Sequence, residues 1–303
     1  MAVKQTAGRR VAGRPEAIQG LDPLAARLGL SVPHEWWASA PLLKSYEAAG
    51  FEWVQLHAPP QSMLRVARLT TEHAVAAATA LSTTSLKAVV HAPGDLRVGT
   101  REGDRAFEGA LSYAAEVGAT RVVYHALALP EGRASERALT AEARSLARHA
   151  RVAERLDLTI AIENLAPLYP GPESLSANPA MLRGLVRRIG SPAISICLDL
   201  GHAHIVADLR NTSVELLCEP VLDLVSVFHL HDNLGARRMS TDTNLGVDPL
   251  RLDLHLPPGR GTLPWQRVAG RLMAHTAPLV CEVHPPFRPR SAEIAAIVRR
   301  ALA

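Results

Sequence analysis

Short apolar runs recur along this chain, with longer amphipathic stretches between them. The runs are LGLSVP (28–33), FEWVQLH (51–57), LKAVVHA (86–92), TRVVYHA (120–126), LTIAIEN (158–164), AISICLDL (193–200), LVSVFHLHD (224–232) and APLVCEVH (277–284). Each reads as a β-strand. Most gaps between them read as helices: over 139–153, Leu139, Ala143, Leu146, Ala150 and Ala153 recur at steps of three and four, with Arg and Glu on the other face. Gly and Pro mark the junctions, as in GSPAI before the sixth run and HAPP after the second. Eight strands with helices between them predict a closed parallel (β/α)8 barrel, a TIM barrel, rather than an open sheet. No linker divides it, so 25–303 are expected to form one domain, preceded by a flexible basic tail over 1–24 that contains KQTAGRRVAGR.

Alternation within the runs assigns their faces. In SICLDL, Ile194, Ile196 and Leu198 share one side while Ser195, Cys197 and Asp199 share the other; in TIAIEN, Ile160 and Ile162 oppose Thr159, Ala161 and Glu163. Barrel strands turn large aliphatic side chains outward under the helices and functional groups inward at the C-terminal rim. The same parity sends Gln55 with His57, Val89 with His91, Val123 with His125, His229 with His231, and Glu282 with His284 to the inside. Nearly every strand therefore ends in a side chain able to bind a metal.

At 303 residues and 48% hydrophobic content the chain is long enough for a large core. A formal charge of +4 permits a phosphate-bearing or nucleic-acid partner without requiring one. No apolar stretch resembles a secretory signal or a membrane span, and three scattered cysteines, Cys197, Cys218 and Cys281, suit neither a disulfide framework nor a zinc knuckle. The expectation is a reduced, cytoplasmic protein without a membrane partner.

Carboxylates and imidazoles converging in one barrel mouth would repel or shift their protonation unless a cation neutralised them. A divalent metal does so directly, and mixed Glu/Asp/His sets suit Zn²⁺, Mn²⁺, Co²⁺ or Fe²⁺, with Zn²⁺ or Mn²⁺ foremost, whereas an all-oxygen cage would suggest Mg²⁺ or Ca²⁺. AIEN, CLDLGHAH, FHLHDN, DLHLPPGRG and CEVH, in this order, resemble the xylose isomerase-like TIM-barrel superfamily, over essentially the whole barrel. That superfamily includes sugar and sugar-phosphate isomerases and epimerases, and nucleases of the endonuclease IV type. In the isomerase branch the resemblance implies one metal on Glu163, Asp199, His229 and Glu282. His202 would contact or orient the substrate, while Glu163 and Glu282 move protons on opposite faces of a sugar passing through a metal-stabilised enediolate. In the nuclease branch it implies three zinc ions held by His91, His125, Glu163, Asp199, His202, His229, Asp253, His255 and Glu282, a set suited to phosphoester hydrolysis.

The text around the ligands departs from the nuclease: LAPLYP follows EN, LGHAH follows the Asp, HLHDN replaces an Asn-containing version, and GDLRVG after His91 lacks an aromatic segment for entering DNA. Asp253 and His255 in turn depart from the ketose 3-epimerases, which tend to place an arginine there. The reading is a divalent-metal sugar or sugar-phosphate isomerase or epimerase with one to three ions; the alternative is an abasic-site endonuclease or related zinc phosphodiesterase, the only reading with a nucleic-acid partner. A barrel that binds a metabolite without turning it over is a third. Oligomeric state is open.

His34, Trp36 and Trp37 in SVPHEWW form either a hydrophobic plug or an aromatic platform for a substrate ring. His57 is a substrate contact or a polar cap. Arg237, Arg238, Arg251 and Arg260 lie in the long loop 233–263, as solvated charge or, with Arg260 foremost, as a clamp on substrate. His231 and Asp232 are expected to orient His229, and Cys197 to pack beneath the site.

Overall fold

The computed structural model describes residues 24–129, 135–167, 173–237 and 251–303. The N-terminal segment up to residue 23, read as a basic tail, and Arg238 lie outside them. Leu24, the last position assigned to that tail, is buried in the core.

All eight expected strands are present: β1 (Leu28–Ser31), β2 (Trp53–His57), β3 (Lys87–His91), β4 (Arg121–Tyr124), β5 (Thr159–Glu163), β6 (Ile194–Asp199), β7 (Val225–Leu230) and β8 (Leu279–Cys281). They pair in parallel in sequence order, and β8 closes on β1. The connections carry α1 (Ala40–Ala48), α2 (Gln61–Leu64), α3 (Ala67–Leu81), α4 (Arg101–Val117), α5 (Glu136–Arg155), α6 (Pro179–Ile189), α7 (Leu200–Leu209), α8 (Val214–Cys218), α9 (Trp265–Met273) and α10 (Ser291–Leu302). The helix expected over 139–153 runs longer because Ser135 caps it, its hydroxyl accepting from the Ala138 N–H at 3.2 Å.

Two apolar layers follow from the strand parity. Outward residues such as Leu30, Val54, Val90, Ile160, Ile196 and Phe228 pack with helix residues including Leu43, Phe107, Leu146 and Ile294. Inside the barrel, Val89, Val123, Ala161, Cys197, Val227 and Val280 form a separate, fully buried layer, edged by Trp53. These small side chains plug the lumen below the rim, so the polar residues one pleat above them have a dry floor. Between β6 and β7 the register shifts at Ile196/Cys197, which steps past Ser226 and sets Asp199 beside His229. No helix among the described residues is long and apolar enough to cross a membrane.

Candidate metal centre

One pleat above the floor, Glu163 ends β5 almost without solvent contact. Its Oε2 lies 3.1 Å from His91 Nε2 and 3.2 Å from His125 Nε2; its Oε1 lies 3.1 Å from His229 Nδ1. His91 ends β3; its Nδ1–H donates to the Ala92 carbonyl at 2.6 Å, and its Nε2 faces Glu163. His229 Nδ1 also lies 3.7 Å from Asp199 Oδ2 and 3.6 Å from Glu282 Oε2. Strands β3 to β8 thus converge on neighbouring points around a single carboxylate.

Asp199 ends β6 and caps α7, its Oδ1 accepting from the His202 N–H at 2.7 Å. That capping geometry is why an Asp-x-x-His spacing returns the His202 ring to the mouth. The ring is fixed by Nδ1–H donating to the Asn164 carbonyl at 2.8 Å, leaving Nε2 3.5 Å from Asp253 Oδ2. Asn164 also clamps Asp199, accepting from its N–H at 2.8 Å and donating to its carbonyl at 2.9 Å.

Asp253 and His255 arrive on the loop after β7. His255 Nε2 lies 3.0 Å from Asp253 Oδ2, and His255 adopts a left-handed φ of 49°. The loop is pinned by Asp232: its backbone pairs with Leu256, its Oδ1 accepts from the Asn233 and Leu263 N–H groups, and its Oδ2 accepts from Gly259 N–H and Trp265 Nε1–H. The expectation that His231 and Asp232 orient His229 is therefore corrected. Asp232 faces the loop, and His231 Nε2–H donates to Asp199, 3.0–3.1 Å from its carboxylate oxygens. His229 Nε2–H donates instead to Gln55 Oε1 at 2.8 Å.

The side chains form five overlapping sets whose donor atoms lie within 4.8 Å of one another: His91, His125 and Glu163; Glu163, Cys197 and His229; Glu163, Asp199 and His202; Asp199, His229 and Glu282; and His202, His231, Asp253 and His255. Burial alone would raise the pKa of Glu163, but the imidazoles of His229 and His125 outweigh it and hold the carboxyl well below its ordinary range. For Asp253 burial is likewise outweighed, by His255 and His202. Burial opposes charge on His202, yet Asp199 and Asp253 push it well above its ordinary value; His229 is pushed the same way by Cys197, Glu282 and Glu163. The mouth demands positive charge, which protonated imidazole supplies in one way and a bound cation in another. Asp253 Oδ1, buried among these rings, has no hydrogen-bond partner. An orphaned carboxylate oxygen within a carboxylate and imidazole donor set fits a divalent cation.

A cavity of about 170 Å³ opens beside this cluster, lined by Ser31, His34, His57, Arg251, His255, Glu282, His284 and Arg288 among others. Glu282 borders it, while Glu163 does not. His57 sits 3.3 Å from Ser31 Oγ and edge-on to His34; burial, together with the neighbouring His91, pulls its pKa down to about 3, so it is a neutral ring. Trp36 and Trp37, 49% and 57% exposed, line an adjoining pocket that shares Val32 and His57 with the first, and Trp37 stacks on His73. Arg260 does not join either. The turn at Gly259, φ 79°, carries it to a separate depression with Leu256, Pro257 and Phe287. Arg251 and Arg288, the second of which sequence reasoning passed over, stand at the cavity instead. Gln55 and Asn164 were also missed as contacts; an inward parity on β2 and the EN pair after β5 were the signals available.

A family model described as the xylose isomerase-like TIM barrel matches residues 43–300. A search of curated proteins finds no match. Among solved structures, a D-tagatose 3-epimerase-like protein aligns with a TM-score of 0.70 at 20% identity, covering 91% of this chain and 97% of that one. The 3-keto-D-glucoside 4-epimerase from E. coli aligns at 0.66 and 15%, covering 91% and 98%. The probable 3-DHS dehydratase involved in petrobactin synthesis from Bacillus anthracis aligns at 0.66 and 12%, covering 90% and 97%. At such identities the likeness is one of fold, whereas the family match spans most of the sequence. The chain belongs to the xylose isomerase-like TIM-barrel family.

Proposed function

We propose that this protein is a divalent-metal-dependent isomerase or epimerase of a sugar or sugar phosphate. The observation that carries the reading is the meeting of Glu163, Asp199 and Glu282 around His229 Nδ1, with Glu282 exposed to a small cavity rich in hydrogen-bonding side chains. The epimerases among the structural neighbours support it. Glu163, Asp199, His229 and Glu282 would hold the ion, which when bound would polarise a substrate carbonyl. Glu282 would then take a proton from the adjacent carbon and return it, and Glu163 would serve the opposite face. His202 would orient the substrate, His57 and His34 would hydrogen-bond its hydroxyls, and Arg251 would meet a phosphate where one is present. Trp36 and Trp37 would cover an apolar ring face at the outer end.

The test is incorporation of deuterium from D2O into a panel of ketoses and ketose phosphates by the zinc- or manganese-loaded protein. Exchange is expected with one or more of them, and Glu282→Gln and Glu163→Gln should each abolish it. Absence of exchange across the panel removes the reading.

A second reading, phosphoester hydrolysis, is favoured by the two further donor sets, His91/His125/Glu163 and His202/Asp253/His255, which a single-metal isomerase does not need. Close to three zinc ions per chain together with cleavage of abasic-site DNA or a simple phosphodiester would move the assignment there.

A further inference from the structure

Gln55 lies on β2, fully buried, on the inward face two residues before His57. Its Nε2 donates to Glu282 Oε1 at 2.5 Å and, more weakly, to Ser31 Oγ at 3.5 Å; its Oε1 accepts from His229 Nε2 at 2.8 Å. The amide can be oriented in only one way. An ionised Glu282 has no proton to give, so the NH2 group must face it, which leaves the oxygen for His229. His229 Nε2 must then carry hydrogen. In the neutral ring the lone pair therefore sits on Nδ1, the atom facing Glu163 Oε1, Asp199 Oδ2 and Glu282 Oε2 at 3.1, 3.7 and 3.6 Å.

We infer that Gln55 is a positioning residue for the metal site, selecting the ligating tautomer of His229 and holding Glu282 by Oε1 so that Oε2 is the oxygen beside His229 Nδ1. This rests on the metal-site reading above. One uncharged side chain sets two prospective ligands on different strands, β7 and β8, by a donor and an acceptor 120° apart on one rigid amide plane. A carboxylate in its place would accept from His229 but repel Glu282. An apolar side chain would do neither.

The experiment compares wild type, Gln55→Met and Gln55→Glu by zinc affinity, measured in competition with a chelator, and by NMR of the His229 Nε2–H in the zinc-loaded and zinc-stripped proteins. Thermal unfolding of the stripped proteins controls for packing. Wild type should show a slowly exchanging Nε2–H. Gln55→Met, similar in volume, should lose that protection and bind zinc about 10–100-fold more weakly. Gln55→Glu should keep the protected Nε2–H and recover part of the affinity. Zinc binding by Gln55→Met equal to wild type overturns the inference, as does a freely exchanging His229 Nε2–H in wild type. If wild type itself retains no zinc, the metal reading fails, and protection of Nε2–H in the stripped protein still decides whether Gln55 holds His229. Should Gln55→Met fail to fold, Gln55→Glu and the wild-type resonance carry the same decision.

Discussion

Single side chains here are constrained by what stands next to them more than by their own burial. Gly201 follows the Asp199 cap, and a Cβ there would lie 2.1 Å from His231 Cε1, inside the ring that donates to Asp199. The His231 ring is buried and stacked 3.8 Å from His255, so it has nowhere to go. Gly201→Ala should therefore cost about 1–3 kcal/mol in denaturant unfolding, as overpacking does, and should weaken metal retention by turning Asp199 away. Unchanged stability would mean that the His231 pocket relaxes freely. Glu163 differs in kind: three imidazoles share its two oxygens. Glu163→Gln should reduce the metal content of the purified protein as well as proton exchange, whereas Glu282→Gln, at the cavity edge, should lower exchange more than metal content.

Larger pieces are tied by a few polar anchors. The loop that brings Asp253 and His255 hangs on the Asp232 carboxylate, and Gly261 must be glycine because a Cβ would sit 2.1 Å from the Asn233 carbonyl oxygen. Asp232→Ala should free that loop, leaving Gly259, Leu263 and Trp265 donors unpaired. Where His202, Asp253 and His255 hold a further ion, as the second reading requires, the expected result is its selective loss, seen as a drop in stoichiometry; with a single ion on Glu163, Asp199, His229 and Glu282 the stoichiometry should not change, and in both cases the barrel's circular dichroism should be unaltered. Asp104 on α4 plays the comparable part on the helical shell, receiving Ser145 Oγ–H, the Gly99 N–H at 2.8 Å and Arg148 at 2.8 Å, with His149 at 3.4 Å. Burial would raise its pKa, but the hydrogen bonds from Ser145 and Gly99 and the charge of His149 leave it lowered. A depressed carboxyl pKa contributes stability above its unfolded value, about 3.9, which is lost as pH falls toward the folded value. Asp104→Asn should flatten the decline in unfolding free energy below about pH 4; an unaltered acid limb would place the loss elsewhere.

Across the molecule, stability and chemistry are separated along the barrel axis. The inner layer from Val89 to Val280 is dry, and the rim one pleat above it gathers four carboxylates, Glu163, Asp199, Asp253 and Glu282, with their histidines. A ligand that binds only the folded rim stabilises the whole barrel by mass action, about 2.7 kcal/mol at a free concentration one hundred times its dissociation constant. Zinc or manganese should thus raise the melting temperature, and a chelator should lower it without changing the helix and strand content. No shift with either metal would count against a cation at the rim.

The strands, their faces and their order were legible from the chain because parity and punctuation are local properties: a period of two and a glycine or proline survive in one dimension. The same parity places Glu163, Asp199, His229 and Glu282 at one mouth, since closing a parallel barrel forces every strand end to the same rim. Which rim groups touch was not legible. That His231 serves Asp199, that Asp232 anchors the loop, that Arg260 turns away while Arg288 turns in, and that Gln55 bridges two strands depend on separations of up to 227 residues along the chain. A hydrogen bond requires alignment within tenths of an ångström, and the β6–β7 register shift and the left-handed His255 set that alignment only once the barrel has closed.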